Sequence, residues 1–266
     1  RLAALAGAPK TPASSPVKPV VAAQIPAAAL PPIAVAPIPP GLAKLANATV
    51  PAGGEGQSLV TVERAGRFAI SAKSATGVAL QLVDMIAGPG DIAGEAGLRD
   101  GRLDVLLDKG VYKIKSFGAK DAKGEAALAV AAFSEREAPG AQLGQGHSAQ
   151  LGDLQQRSYW LAVGRDGAVS VEAVGRALQD LKLWRNGRDL ADLKPSMSSV
   201  EPKAARPMTR ARLEGKVEAG AYLVTAYGGA PEAWTDGEAS MPFHIRSAEP
   251  LSLSAGVAEA TIGPFG

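Results

Sequence analysis

The residues able to do acid–base or nucleophilic work are few. His147 and His244 are the only imidazoles, and cysteine is absent. Without thiols there is no disulfide, thiolate metal site or cysteine nucleophile. His147 lies in the linker-like Gly144-Gln145-Gly146-His147-Ser148 stretch, and His244 in the alternating run Pro242-Phe243-His244-Ile245. One imidazole per domain cannot build a histidine zinc site. No G-x-S-x-G elbow, H-E-x-x-H pair or P-loop occurs. A Ser-His-Asp triad would have to recruit a histidine across domains. The expectation is therefore a non-enzymatic chain with no catalytic residue, no cofactor and no metal.

Carboxylates are more numerous. Asp91, Glu95, Asp100, Asp104 and Asp108 fall in one stretch. Calcium needs six to eight oxygens, and this spacing is not that of an EF-hand loop. A solvated loop and the polar side of a strand is the first reading, with calcium as the alternative. Aromatic residues are the remaining candidates for contact with a ligand or partner: Trp160, Trp184, Trp234 and Tyr227. Tyr159 and Trp160 are adjacent, so in a strand one packs the core and the other faces outward or towards a neighbouring domain. Trp184 adjoins a turn and Trp234 follows Pro231 in a loop. Exposed indoles near turns suit a sugar or protein ligand. Packing in a core or domain interface is the competing reading.

These side chains need elements to hold them. Leu59-Val60-Thr61-Val62 is one short apolar run. Phe68 and Ile70 alternate with Ala69 and Ser71, and similar alternation marks Val78–Leu82, Leu103–Leu107 and Tyr112–Ile114. Period two over four to eight residues predicts half-buried strands. Gly88-Pro89-Gly90, Asp100-Gly101 and Lys109-Gly110 are turn signals between them.

An internal repeat is the clearest organisational signal. Residues 102–117 read RLDVLLDKGVYKIKSF and residues 212–227 read RLEGKVEAGAYLVTAY. Gly110, Tyr112, Ile114 and Gly118 meet Gly220, Tyr222, Val224 and Gly228. The unit reads as strand, tight turn, strand, the turn placed at the glycine. Upstream, Gly66–Ile70 is aligned with Arg157–Leu161, setting Phe68 against Tyr159. That alignment gives the second copy extra residues within 186–209, read as a Ser- and Pro-rich loop. Glu172–Trp184 fits either a helix face or two strands with Asn186-Gly187 as hairpin turn; the repeat favours strands. Residues 247–266 read as a linker and the opening of a third repeat.

The Gly110-Val111-Tyr112-Lys113-Ile114 and Gly220-Ala221-Tyr222-Leu223-Val224 segments resemble the "aGtYyv.V" stretch of bacterial pre-peptidase C-terminal domains. The run Leu181–Gly187 is similar to that family's preceding strand and turn. The resemblance covers roughly 60–135 and 150–246. It implies small jelly-roll-like β-sandwiches on secreted or surface proteins. Where the family has an Asp-x-Asp-Leu pattern, this chain has Asp180 with Lys at 182, and Asp84 has no second acid two residues away. Any calcium or ligand role of that acidic pair is not carried over.

Composition sets the remaining limits. Residues 1–50 hold ten Pro and fifteen Ala, a density no packed helix or central strand survives. This zone reads as an extended spacer, or as a segment partly docked on protein, with a helical turn at Leu42–Ala48. The uncharged stretch Pro19–Ala43 contains seven Pro, so no membrane span is expected. The net charge of +2 comes from interspersed acids and bases, which gives no basic face for nucleic acid.

The expected fold class is all-β: two tandem jelly-roll-like β-sandwich domains after a Pro/Ala-rich extended segment. The expected boundaries are 1–55 for that segment, 56–135 for the first sandwich, 136–150 for a linker, 151–246 for the second sandwich, and 247–266 for the linker and third repeat. The two sandwiches are expected to pack end to end. The functional expectation is a non-catalytic structural or protein-interaction module of an exported bacterial protein, periplasmic or at the cell surface. Its partners would be other subunits or further domains of the parent protein. One alternative is a carbohydrate-binding pair that takes polysaccharide on exposed aromatics. Another is a set of accessory domains of an enzyme whose catalytic part lies elsewhere.

Overall fold

Alternating side chains dictate the first unit. In the run Leu59–Val62, Val60 and Val62 are buried while Leu59 and Thr61 face out. The computed structural model describes residues 39–84, 86–135, 142–144, 146–204, 207–229 and 240–248. The Pro/Ala-rich segment 1–38, Trp234 and the proposed third repeat beyond 248 lie outside the described residues.

The first unit runs β1 (Leu42–Leu45), β2 (Thr49–Pro51), β3 (Gly54–Arg64), β4 (Gly66–Lys73), β5 (Val78–Asp84), β6 (Gly88–Ala93), β7 (Arg102–Leu107), β8 (Gly110–Gly118) and β9 (Glu125–Ala132). A short β10 (Ser134–Glu135) follows. The second unit runs β11 (His147–Leu151), β12 (Gln155–Val163), β13 (Gly167–Gly175), β14 (Leu178–Arg185), β15 (Arg188–Asp189), β16 (Ser196–Val200), β17 (Met208–Val217), β18 (Gly220–Gly228) and β19 (Met241–Ala248).

The first unit forms two sheets, β1-β3-β8-β5-β6 and β2-β9-β4-β7. The second has the order β10-β12-β18-β14-β15 and β11-β19-β13-β17-β16, in which β10, parallel to β12, takes the place of the antiparallel β1 and β16 is additional. Eight corresponding strands in two facing sheets, with early and late strands interleaved, make each unit a jelly-roll sandwich. The chain is all-β across the described residues.

Each sandwich has its own core. In the first, Val60, Phe68, Ile70, Leu80, Ile114 and Leu128 meet between the sheets. In the second, Tyr159, Leu161, Val171, Leu181, Leu183, Leu213, Tyr222, Val224, Phe243 and Ile245 do so. Each large apolar side chain buried this way contributes about 1.5–3 kcal/mol.

The register extends the repeat beyond its sequence match. Gly118 pairs with Val78 and Gly228 with Leu178. A Cβ at Gly118 would lie 1.8 Å from the Ala52 carbonyl oxygen, and one at Gly228 would lie 2.1 Å from that of Gly152. Only glycine fits that close approach.

Several expectations are corrected. Leu42–Ala48 forms no helical turn: β1 and β2 are edge strands of the first sandwich, so residues 39–55 belong to it. Alternate burial against β3 and β9 outweighs the alanine-rich composition. Gln142 and Leu143 lean on Trp160, Leu143 enters the second core, and β11 pairs with β19. The described part of 136–150 is therefore mostly second sandwich. Residues 186–209 hold β15 and the edge strand β16, because β17 offers an unpaired edge for β16 to extend.

Residues 172–184 lie in the strands β13 and β14, with no helix. Asn186 and Gly187, with φ of 51° and 75°, make the two-residue turn into β15. Phe68 does not answer Tyr159. Gly66 lies opposite Leu107 as Gly167 lies opposite Val217, so Phe68 corresponds to Val169. Tyr159 opposes Val224 as Ser58 opposes Ile114. Chain proximity to an aromatic misled the alignment; hydrogen-bonded register decides it.

Candidate functional site

The two sandwiches do not pack end to end. Contacts from the end of the second, where β12 and β14 begin and β18 finishes, fall on Arg67 and Ala69 of β4, on Arg102 of β7 and on Phe133 just after β9. Alternation puts Phe68 and Ile70 inward on β4 and leaves Arg67 and Ala69 on the other side. Ala69, Phe133 and Tyr227 form a small apolar cluster there, with Leu154 and Trp184 against it.

Arg67 is the centre of this junction. Its guanidinium carbon lies 4.8 Å from the Tyr227 ring centroid and 5.5 Å from that of Phe133. Its Nη1 donates to Asp180 Oδ2 at 2.5 Å. The Arg67 side chain is 8% exposed and that of Asp180 18%. A planar, weakly hydrated cation suits this slot between rings better than an ammonium would. Burial raises the Tyr227 phenol far above its usual range, so the ring stays neutral beside Arg67. The Phe133 and Tyr227 rings meet edge to face at 5.9 Å.

Two further polar locks flank the cluster. Arg102 donates to both Asp153 oxygens and to Asp104. The Asp153 bonds, then Asp104, raise the Arg102 guanidinium further. On β10, beside β12, Glu135 accepts from the Ser158 N–H at 2.9 Å and the Ser158 hydroxyl at 2.6 Å. Burial nevertheless raises the Glu135 carboxyl, the hydrogen bonds opposing it only in part.

Beside Arg67 a cleft of about 470 Å³ opens between the sandwiches. Asp84, Asp104, Asp108 and Tyr112 line it from the first, and Asp180 and Lys182 from the second. Burial, then the Asp108 and Asp84 carboxylates, raise the Tyr112 phenol. Lys182 pairs with Asp189 at 3.5 Å.

The four aromatic candidates separate. Tyr227 is 2% exposed and belongs to the junction. Trp184 is half-buried at the junction's edge, with its indole N–H buried. Trp160 is half-buried on the same outward face of β12, while Tyr159 enters the core. Trp234 lies outside the described residues.

Both histidines sit in the second sandwich, on paired strands β11 and β19, which corrects the assignment of one to each domain. Ser148 Oγ and His244 Nδ1 are 2.7 Å apart across that pair, and His147 Nε2 is 2.8 Å from the Gln142 carbonyl. Among the described residues no group of three or more His, Asp or Glu is arranged to hold a metal ion. Asp100, from the acidic stretch, instead ties a turn: it accepts from the Ser74 N–H and hydroxyl and from the Val78 N–H.

Sequence reasoning missed Arg67, Asp180 as its partner, Phe133 and Glu135. The one signal available was an arginine in an otherwise small and apolar strand, Gly66-Arg67-Phe68-Ala69-Ile70.

No protein-family model matches the chain. No curated protein matches it either. Among solved structures, one similar chain is BpGH86A, a beta-porphyranase of glycoside hydrolase family 86 from the human gut bacterium Bacteroides plebeius. It has 11% identity and a TM-score of 0.16, over 74% of this chain and 35% of that one. The present chain thus spans about a third of that enzyme's length, and a likeness at this score carries no argument about function.

Proposed function

We propose that this chain is a non-catalytic structural or protein-interaction module of an exported, multidomain bacterial protein, acting at the periplasm or cell surface. In this reading its two sandwiches work as one stiff unit, with other subunits or further domains of the same protein as partners. The observation that carries the reading is the Arg67 junction. A buried cation held between two rings and a carboxylate from the other sandwich resists hinge motion. Interfaces between domains in one chain are otherwise expected to permit it. The register places Ala168 where Arg67 stands and Ala79 where Asp180 stands, so the junction residues are special to this pair and not part of the repeat.

Small-angle scattering on the intact chain and its Arg67→Ala variant tests stiffness. The wild type should give one well-defined distance distribution for the paired sandwiches, and the variant a broader one. Equal flexibility in both would remove the stiff-unit reading. Purification of the parent protein from its source, with identification of stoichiometric companions, tests the partner; a catalytic activity residing in this chain alone would overturn the non-catalytic part.

A further inference from the structure

Trp160 and Trp184 are 24 residues apart in sequence and are brought into one row by β18. Leu223 pairs with Trp160 on one side and with Trp184 on the other. Leu161, Val224 and Leu183, their neighbours in sequence, all enter the core, so the three row members share the outward face. Two strand spacings separate the indoles, about 10 Å. Leu223 between them is 6% exposed, filling the floor of a continuous apolar strip. The centre of the row lies four residues along β18 from Tyr227, and Trp184 at one end of it also packs against the junction cluster. Lys182, two residues before Trp184 and so on the same face, lines the cleft between the sandwiches. Strip and cleft therefore neighbour one another on one face of β14, with Lys182 at the cleft and Trp184 two residues on.

We infer that the strip of Trp160, Leu223 and Trp184, with the neighbouring cleft at Lys182, binds a neutral glycan chain. A sugar ring presents C–H bonds on its faces and hydroxyls on its rim. The C–H faces match the electron-rich faces of indoles. The hydroxyls both donate and accept, and the cleft offers both kinds of partner: carboxylate acceptors at Asp84 and Asp108, and the Lys182 donor.

Charge selects neutral over acidic sugars. Asp84, Asp104, Asp108 and Asp180 outnumber Arg67 and Lys182 along the cleft, and like charges brought together are penalised. Size selects a glycan over a folded protein. Two half-buried indoles and a Leu223 that is 6% exposed offer less than the about 150–250 Å² apiece of whole aromatic side chains, well short of the roughly 1,200 Å² of a stable protein interface.

The first sandwich supplies an internal control. Lys113 stands where Leu223 does, flanked by Leu59 and Val83, so the equivalent face lacks both rings. The inference goes beyond the scaffold reading, since a chain that binds no sugar can still hold its sandwiches stiffly.

The test uses the intact chain with cellohexaose, xylohexaose and laminarihexaose as neutral probes. A hexamer of galacturonic acid and a Pro-rich decapeptide serve as competitors. Titration calorimetry and tryptophan emission are the readouts. At least one neutral hexamer should bind, with a weakening of about tenfold in Trp160→Ala, the loss of one stacking contact, and no change in Leu59→Ala. Should Trp160→Ala fail to fold, Trp160→Phe and the exposed Asp108→Asn carry the test, and both should weaken binding severalfold. Binding by none of the neutral hexamers overturns the inference. So does binding that ignores Trp160 and Asp108, or a site that prefers the acidic hexamer or the peptide.

Discussion

Tyr112 and Tyr222 hold the same post in two different sandwiches: each hydroxyl donates to the backbone carbonyl four residues upstream. Tyr222 reaches Glu218 at 2.7 Å and Tyr112 reaches Asp108 at 3.0 Å. Each bond spans the turn that joins β7 to β8 or β17 to β18, so the ring packs while its polar tip pins the hairpin. The two differ in surroundings. Tyr222 is 1% exposed, whereas Tyr112 borders the cleft and is half-buried. Tyr222→Phe is expected to cost about 1 kcal/mol, the net worth of a hydrogen bond, and Tyr112→Phe less. Thermal melting of both variants checks this; equal costs would mean that burial does not set the difference.

Removing Arg67 should hurt more than its hydrogen bond alone suggests. Arg67→Ala leaves Asp180 with its charge in a largely enclosed site, and a loss of about 3 kcal/mol is expected for breaking such a pair. Arg67→Lys should recover only part of it, because a compact, strongly hydrated ammonium loses more on burial beside Phe133 and Tyr227 than a guanidinium does. A double-mutant cycle with Asp180→Ala isolates the pair. A coupling near zero would leave the aromatic stacking as the whole of the Arg67 contribution.

Glu135 gives the junction a pH dependence of definite sign. Its carboxyl is raised in the folded chain, chiefly by burial. The stability linked to it is therefore fully present below the ordinary glutamate range and is lost as pH rises through the raised folded value. Glu135→Gln removes this titration. Denaturant unfolding from acid to neutral pH should show the variant gaining on the wild type as pH rises. A constant difference across that window would exclude Glu135 as the titrating group.

Asp100 works in the opposite direction. Burial raises it, but the hydrogen bonds from Ser74 and Val78, helped by Lys73, together lower it. Its contribution is present above the ordinary aspartate range and is lost as pH falls through the lowered value. Asp100→Ala unpairs three donors and should cost about 2 kcal/mol at neutral pH. The same variant should flatten the acid limb of the stability profile. Calorimetry at neutral and acid pH reads both.

The strands were legible because their cause is local. Val60 with Val62, Phe68 with Ile70, and Leu181 with Leu183 alternate with residues that face out, and that period fixes strand and face together. The repeat around Tyr112 and Tyr222 was legible because both copies need the same glycine closures and the same hydroxyl pin. Edge strands such as β1 and β16 were not, since short segments of Ala, Lys or Ser acquire strand structure only from the neighbour they pair with.

An all-β chain of two related sandwiches follows from the order of residues alone, because side-chain alternation and turn glycines act over a few residues. Which outward side chains meet is settled by the packing of the folded chain. Arg67 finds Asp180 across 113 positions, and β18 sets Trp160 and Trp184 in one row. Such contacts depend on how finished sheets stack, and a face left outward by alternation carries no local mark of what will cover it.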